Sequence, residues 1–492
     1  MCGICGYFGA NVSHRPLPMA QLKHRGPDDE GIVIGNNYKF GHTRLAIVDV
    51  AKGHQPMLNE DNTRCIVFNG EIYNHQFLRA NLKQDHFFRT ECDTEVILHL
   101  FEEEGMNGLK KLDGMFALAI ATPGELILAR DPVGIKPLYF QESGDCLFFA
   151  SEIKAFYHCR DPIVELKPGT IYSSVSQSHS YYELPRNFEG EMSWEECLAA
   201  LRQRVTVAVK KRLMADVPLG SFLSGGLDSS IITALVKAER EQLHTFSVAT
   251  EQSSDRRYAR SVADYLGTAH HEYIIRPSEI KKALPTIIYY LESYDRSLVR
   301  SAVANYFLAQ IAAAEVKVVL TGEGADELFA GYRYLEEFPD ADSLNGELWR
   351  ITKDLHNTNL QRTDRMTMAH GLEARVPFLD VAVIRLAMQI PAAYKRDVSK
   401  RTEKCCLRAA FQNEALLPQE IFKRKKEKFS DGSGMSDVLA AITAESIPQG
   451  SFCKELERGT PLRSREEYYY FQIYCSLFGR EAALNLVGRS RS

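Results

Sequence analysis

Val217-Pro218-Leu219-Gly220-Ser221-Phe222-Leu223 runs directly into Ser224-Gly225-Gly226-Leu227-Asp228-Ser229-Ser230. The first stretch reads as a buried strand, and the second opens a helix from Ser229. Small residues in such a turn let backbone N–H groups approach a phosphate closely. The helix N-terminus adds unsatisfied donors and partial positive charge. Asp228 alone would repel a phosphate, but it makes sense as a ligand for Mg²⁺ bridging phosphate oxygens. The pattern is not a Walker P-loop, because the Lys and the longer arch are missing.

Outward from this junction, strand and helix alternate. Leu243 to Val248 reads as a strand, Tyr258 to Leu266 as a helix, and His271 to Ile275 and Val316 to Leu320 as strands. That alternation predicts a doubly wound parallel sheet. A second glycine-rich turn, Thr321-Gly322-Glu323-Gly324-Ala325-Asp326-Glu327, follows the last of these strands. In a parallel sheet both turns emerge at carboxyl ends, where ligands bind. The three carboxylates of the second turn suit metal binding or general-base work. Beyond about residue 325 the pattern is mostly helical.

Before Pro185-Arg186-Asn187 the grammar differs. Gly31 to Ile34, Leu45 to Val50, Cys65 to Phe68, Phe116 to Ala121, Leu126 to Ala129 and Leu147 to Ala150 are short apolar runs between turn residues. They predict stacked β-sheets, with helices such as Asp93 to Glu104 outside. The expected division is 1–186 and 187–492.

The 492 residues are 45% hydrophobic and 25% charged, as in folded proteins. A net charge of −5 gives no electrostatic reason to expect nucleic acid or an anionic membrane. No apolar run is long enough to span a bilayer, and the first 20 residues show no secretory leader. Eleven cysteines without a disulfide framework suggest reduced thiols in a cytoplasmic protein.

The chain opens Met1-Cys2-Gly3-Ile4-Cys5-Gly6. If Met1 is trimmed, Cys2 carries both a thiol and an α-amine, and the amine can serve as base for its own nucleophile. The C-x-x-C spacing also admits a redox pair or half a zinc site, although no second half follows.

The ordered set of motifs resembles the glutamine-dependent asparagine synthetases nearly from end to end. In the amino half it comprises Cys2-Gly3, His24-Arg25-Gly26-Pro27-Asp28, His42-Thr43-Arg44-Leu45-Ala46-Ile47-Val48-Asp49, Phe68-Asn69-Gly70-Glu71-Ile72-Tyr73-Asn74 and Arg130-Asp131-Pro132-Val133-Gly134. This half is similar to class II, N-terminal-nucleophile glutamine amidotransferases, whose fold is an αββα sandwich. The carboxyl half, with the two turns and Glu373-Ala374-Arg375-Val376-Pro377-Phe378-Leu379-Asp380, is similar to ATP pyrophosphatases. The stretch from Cys2 to His24 is shorter than family members usually have, so either the first helix is expected to be trimmed or the loop tightened.

The resemblance implies Cys2 as glutaminase nucleophile, with Asn69 and the Gly70 N–H as oxyanion hole. Arg44 would clamp the glutamine α-carboxylate, with Leu45, Ala46, Ile47, Val48 and Glu71 completing the site and Asp93 taking the α-ammonium. Leu223 and Val248 would hold adenine. Ser224, Gly225, Gly226, Leu227, Asp228 and Ser229 would cradle pyrophosphate, and Thr321 and Gly322 would hold the nucleotide. Asp228 and Asp326 would bind Mg²⁺. Glu323 would meet the acyl-adenylate or deprotonate ammonia, and Lys426 would neutralise the α-phosphate. ATP, glutamine and aspartate are the implied substrates, with β-aspartyl-AMP as intermediate. Ammonia would pass between the sites through an apolar tunnel, and the family suggests a homodimer. The main rival is an amide synthetase of the same family acting on another carboxylic acid in specialised metabolism. A lactam-forming cyclase would tend to lack Cys2. A tRNA-modifying pyrophosphatase would need a basic, aromatic-rich surface that the sequence does not show.

Overall fold

The computed structural model describes residues 2–157, 161–186, 192–251, 253–397, 402–412, 415–425, 432–447, 449–480 and 487–489. Chain contacts divide it into two units: 1–183 with 214–217 and 368–373, and 184–213 with 218–367 and 374–492.

The first unit is built on two six-stranded sheets. Its strands are β1 (Gly3–Gly9), β2 (Asp29–Ile34), β3 (Tyr38–Arg44), β4 (Met57–Leu58), β5 (Cys65–Ile72), β6 (Gly114–Ala121), β7 (Leu126–Arg130), β8 (Tyr139–Ser143), β9 (Cys146–Ala150), β10 (Val164–Glu165), β11 (Thr170–Ser173) and β12 (Gln177–Ser180). The spatial orders are β10-β8-β9-β1-β3-β2 and β12-β11-β7-β6-β5-β4. β6 and the first half of β5, Cys65 to Phe68, are apolar because both of their faces are covered. Cys65, Val67, Ala117 and Ala119 pack with Ile4, Phe40 and Phe149 of the other sheet. The alternate residues Ile66, Phe68, Phe116 and Leu118 pack with Val96, Ile97, Leu100 and Phe101 of the helix Asp93–Glu104.

The result is an αββα sandwich with unequal outer layers. The layer beside the first sheet holds the one-turn helix Met19–Leu22 and the 3₁₀ turns Lys23–Arg25 and Ile153–Phe156. Leu45 to Val50, expected as a strand, is instead a loop, and β3 ends at Arg44. Leu45, Ala46 and Ile47 are buried without sheet pairing, Val50 is exposed, and the Arg44 side chain binds the Asp49 and Val50 carbonyls.

The second unit carries a five-stranded sheet of β13 (Leu219–Phe222), β14 (His244–Ala249), β15 (Ala269–Ile274), β16 (Val318–Leu320) and β17 (Glu373–Arg375). The order is β15-β14-β13-β16-β17, with β13 parallel to both β14 and β16. The chain winds outward from β13 to β15, then returns to start the other half at β16. The reversal between β13 and β16 is a topological switch point. Helices Leu227–Glu239, Asp255–Leu266 and Arg296–Ala312 follow the strands, and further helices fill the remainder.

Candidate functional sites

In the first unit the site grows from the start of β1. Cys2 is buried, and burial pushes its thiol up from the ordinary value. The register Gly3↔Thr43 sets β1 beside β3, and Gly3 N donates to Thr43 Oγ1 at 3.2 Å. Cys2 N donates to Asn69 Oδ1 at 3.0 Å. Asn69 lies mid-strand in β5, opposite Ala117. Its Nδ2 is buried with no hydrogen-bond partner among the described residues. An unsatisfied buried amide donor is costly, and such a donor is what an oxyanion would need. Gly70 is next on the strand, opposite Phe116, and Glu71 is buried beside it.

Arg44 donates to the carbonyls of Val48 (3.3 Å), Asp49 (2.8 Å) and Val50 (3.0 Å). Three of its five N–H donors are thus engaged, holding the Leu45–Val48 segment in shape and leaving two for a ligand. Asp93 begins the helix Asp93–Glu104, is buried, and accepts from Ile72 N at 2.8 Å. Burial raises its pKa.

Two supports lay in quoted motifs without an assigned role. Arg25 is fully buried, and its Nε donates to the Cys2 carbonyl at 3.0 Å while Nη1 meets Glu152 at 2.5 Å. Asp28 Oδ2 accepts from Ala46 N at 2.8 Å. The signal was present, since a buried Arg next to glycine must find a carboxylate, but Glu152 is remote in sequence. Cys5 is a free, buried thiol pushed up to about 12 by burial, which is ill suited to redox or metal work.

In the second unit the two glycine-rich turns line one cavity of about 360 Å³. Leu223, Ser224, Gly226, Leu227, Asp228, Ser229, Val248, Thr321, Gly322, Glu323 and Asp326 all border it. Gly225 does not line it. It turns the chain at φ +71°, and a Cβ there would lie 2.3 Å from Ala259 N. Ser229 Oγ lies 3.0 Å from Ser224 Oγ and 3.3 Å from Ser224 N, closing the loop on itself. A Cβ on Gly322 would lie 2.8 Å from Ser229 N, so the two turns meet backbone to backbone.

Asp228 and Asp326 face a common point. Lys404 Nζ lies 2.5 Å from a carboxylate oxygen of each, and the lysine is buried. Sequence reading missed Lys404, which lies far along the chain with no motif of its own. Two carboxylates converging on one cation supply the hard oxygen donors Mg²⁺ prefers. Glu323 pairs with the buried Arg362. Glu327 accepts from Tyr332 Oη (2.5 Å) and Asn359 Nδ2 (2.8 Å), and burial beside Asp326 pushes it up to about 7. Arg424 and Lys425 also border the cavity, whereas Lys426 falls outside the described residues.

Glu373-Ala374-Arg375-Val376-Pro377-Phe378-Leu379-Asp380 braces the second turn. The Arg375 carbonyl accepts from Thr321 N at 2.9 Å, and its guanidinium donates to the Arg212 carbonyl at 2.7 Å. Asp380 caps the helix Val381–Gln389 and pairs with Arg212 (2.9 Å) and Lys211 (2.5 Å). Burial opposes its charge, but those two cations hold its pKa down at about 2.

A sandwich with a buried cysteine at the head of β1 and a parallel sheet with glycine-rich turns at its switch point, on one chain, are the features expected of a class: amidotransferases that couple a glutaminase fold to a nucleotide-binding fold. Known sequences narrow the class. The glutamine amidotransferase domain family matches residues 1–190, and the asparagine synthase family matches residues 200–340 and 333–472. Asparagine synthetase [glutamine-hydrolyzing] 2 of Oryza sativa subsp. japonica is 40% identical over 514 residues, covering 98% of this chain and 86% of its own. Asparagine synthetase [glutamine-hydrolyzing] 2 of Arabidopsis thaliana is 39% identical, covering 98% and 88%. The probable asparagine synthetase [glutamine-hydrolyzing] of Schizosaccharomyces pombe is 38% identical, covering 94% and 90%. The chain belongs to the glutamine-hydrolysing asparagine synthetase family.

Proposed function

We propose that this protein amidates aspartate to asparagine at the expense of ATP, using ammonia released from glutamine. One observation carries the reading: a single chain holds a buried Cys2 tied to Asn69 and a phosphate-type loop at a switch point. In this proposal residues 1–186 are the glutaminase and 187–492 the synthetase.

After removal of Met1, the Cys2 α-amine takes the thiol proton and Sγ attacks the glutamine amide carbon. Asn69 Nδ2 and the Gly70 N–H take the developing oxyanion. Arg44 and Asp93 fix the α-carboxylate and α-ammonium, and Leu45 to Val48 and Glu71 shape the site around them. Collapse of the intermediate releases ammonia, and water then frees glutamate from the acyl-enzyme.

At the second site, Leu223 and Val248 take the adenine and Thr321 and Gly322 the nucleotide. The aspartate β-carboxylate attacks the α-phosphorus, pyrophosphate leaves into the Ser224 to Ser229 loop, and ammonia displaces AMP from β-aspartyl-AMP. Asp228 and Asp326 would hold Mg²⁺, which would neutralise phosphate charge when bound. Glu323 deprotonates the attacking ammonia, and Lys426 neutralises the α-phosphate. Lys404 keeps the two aspartates together in the free protein. A homodimer rests on family resemblance, and a cytoplasmic location on the eleven cysteines without a disulfide framework. Among the described residues no helix is long and apolar enough to cross a membrane.

The test is an acceptor panel with ATP, Mg²⁺ and glutamine, with and without aspartate, read by mass spectrometry. Asparagine and AMP forming together only with aspartate is the expected result. Glutamine hydrolysis with no aspartate-dependent AMP would overturn the aspartate assignment and favour another carboxylic acid.

A further inference from the structure

On the first unit, outside the residues proposed for glutamine, two imidazoles and two carboxylates converge. They are His99 and Glu102, one turn apart on the helix Asp93–Glu104, Glu60 from the turn after β4, and His86 from the segment leading to that helix. Their ligand-type atoms all lie within 4.8 Å of one another.

The contacts have a common centre. Glu60 faces His86 Nδ1 at 3.3 Å through one oxygen and His99 Nδ1 at 3.5 Å through the other. Glu102 Oε2 lies 2.7 Å from His99 Nδ1 and 3.8 Å from His86 Nδ1. The two rings stack with centroids 4.3 Å apart. Zinc binds imidazole nitrogen and carboxylate oxygen at about 2.0–2.2 Å in tetrahedral geometry, which puts neighbouring ligand atoms roughly 3.3–3.6 Å apart. The observed spacings bracket that range.

In metal-bound histidines the second ring nitrogen turns to a carboxylate, and here a carboxylate stands near each one, within 3.5 Å for His86 only. His86 Nε2 lies 3.3 Å from Glu103 Oε1, and His99 Nε2 lies 3.9 Å from Glu95 Oε1. Those carboxylates are themselves anchored. Glu103 accepts from Lys83 N and Gln84 N, and Glu95 accepts from Arg89 N and Thr90 N. Glu102 is held by Asn59 Nδ2 at 2.6 Å and faced by Arg64 at 3.6 Å. His99 is buried while Glu60 is the most exposed of the four, which leaves one open side for entry.

We propose that Glu60, His86, His99 and Glu102 form a structural zinc site distinct from both candidate active sites. Two imidazoles with two carboxylates favour zinc over Mg²⁺ or Ca²⁺, which take oxygen donors. The ion would clip the 82–92 segment and the 57–64 turn to the helix that Asp93 begins.

The test uses the full-length protein, dialysed free of metal and then loaded with zinc alone. Wild type is expected to retain one zinc per chain by elemental analysis, and to lose thermal stability when a chelator removes it. Glu60→Gln, at the most open position, and His86→Gln should keep the circular dichroism spectrum but lose the zinc and the chelator effect. Glu103→Gln should weaken zinc binding by roughly 10–100-fold. A wild type that retains no zinc would overturn the site. Undiminished zinc in folded Glu60→Gln and His86→Gln would do the same, since it would assign the metal to the cysteines.

Discussion

The two candidate sites handle polar groups in opposite ways. In the first unit the reactive groups sit at strand ends, mid-strand or at a helix start, each fixed by hydrogen bonds to or from the backbone: Cys2 by Asn69 and Arg25, Arg44 by three carbonyls, Asp93 by Ile72 N. Among the described residues, the Asn69 Nδ2 donor is buried and left over. In the second unit the groups sit on turns and are matched by other side chains. Lys404 bridges Asp228 and Asp326, Arg362 holds Glu323, and Arg424 holds Asp255. The difference follows from substrate charge. An amide carbonyl becomes charged only in the transition state, so the site keeps a fixed neutral donor waiting. A nucleotide arrives highly charged, so the free site must neutralise its own charges and exchange partners on binding.

The largest effect that tests this contrast is at the nucleophile. Cys2→Ala should reduce glutamine-driven asparagine formation to background while synthesis from ammonium persists. Loss of both in a folded variant would show that the units are not chemically separate. Asp228→Asn should lower aspartate-dependent pyrophosphate release by roughly 10³-fold and leave glutamine hydrolysis measurable. Unchanged release would remove the carboxylate pair from the chemistry. Asn69→Ala should cut glutamine hydrolysis by about 10²–10³-fold, mainly in kcat, with ammonium-driven synthesis unaffected. A change confined to KM would mean the leftover donor binds glutamine rather than the transition state.

The smallest effect concerns the brace of the second unit. The Asp380 carboxylate is held down at about 2, against an ordinary value of 3.8. The stability it supplies is full above 3.8 and lost as pH falls through 2. Asp380→Asn removes the carboxylate that faces the buried Arg212, at a cost of about 3–5 kcal/mol near neutral pH. Denaturant melts across pH should show that cost shrinking toward pH 2, whereas a constant cost would assign the effect to the helix cap alone.

Much of this was legible locally. Apolar runs at strand length, helical spacing after them, and two glycine-rich turns after buried strands define both fold classes. Backbone geometry and burial act over a few residues, which is why those features can be read in order. The loop at Leu45 to Val50 was misread as a strand because burial was secured by tertiary packing and by one arginine, not by sheet pairing. Lys404, Arg362 and Glu152 carried no local signal, since their partners lie 176, 39 and 127 residues away.

The zinc cluster makes the same point. His99 and Glu102 share a helix face by spacing alone, but Glu60 and His86 reach them through loops. By itself the sequence determined the two folds, the family and the candidate nucleophile, because these follow from periodicity and contiguous motifs. The tertiary structure alone decided which charges neutralise which and where a donor is left unsatisfied, because such contacts depend on chain closure over long separations.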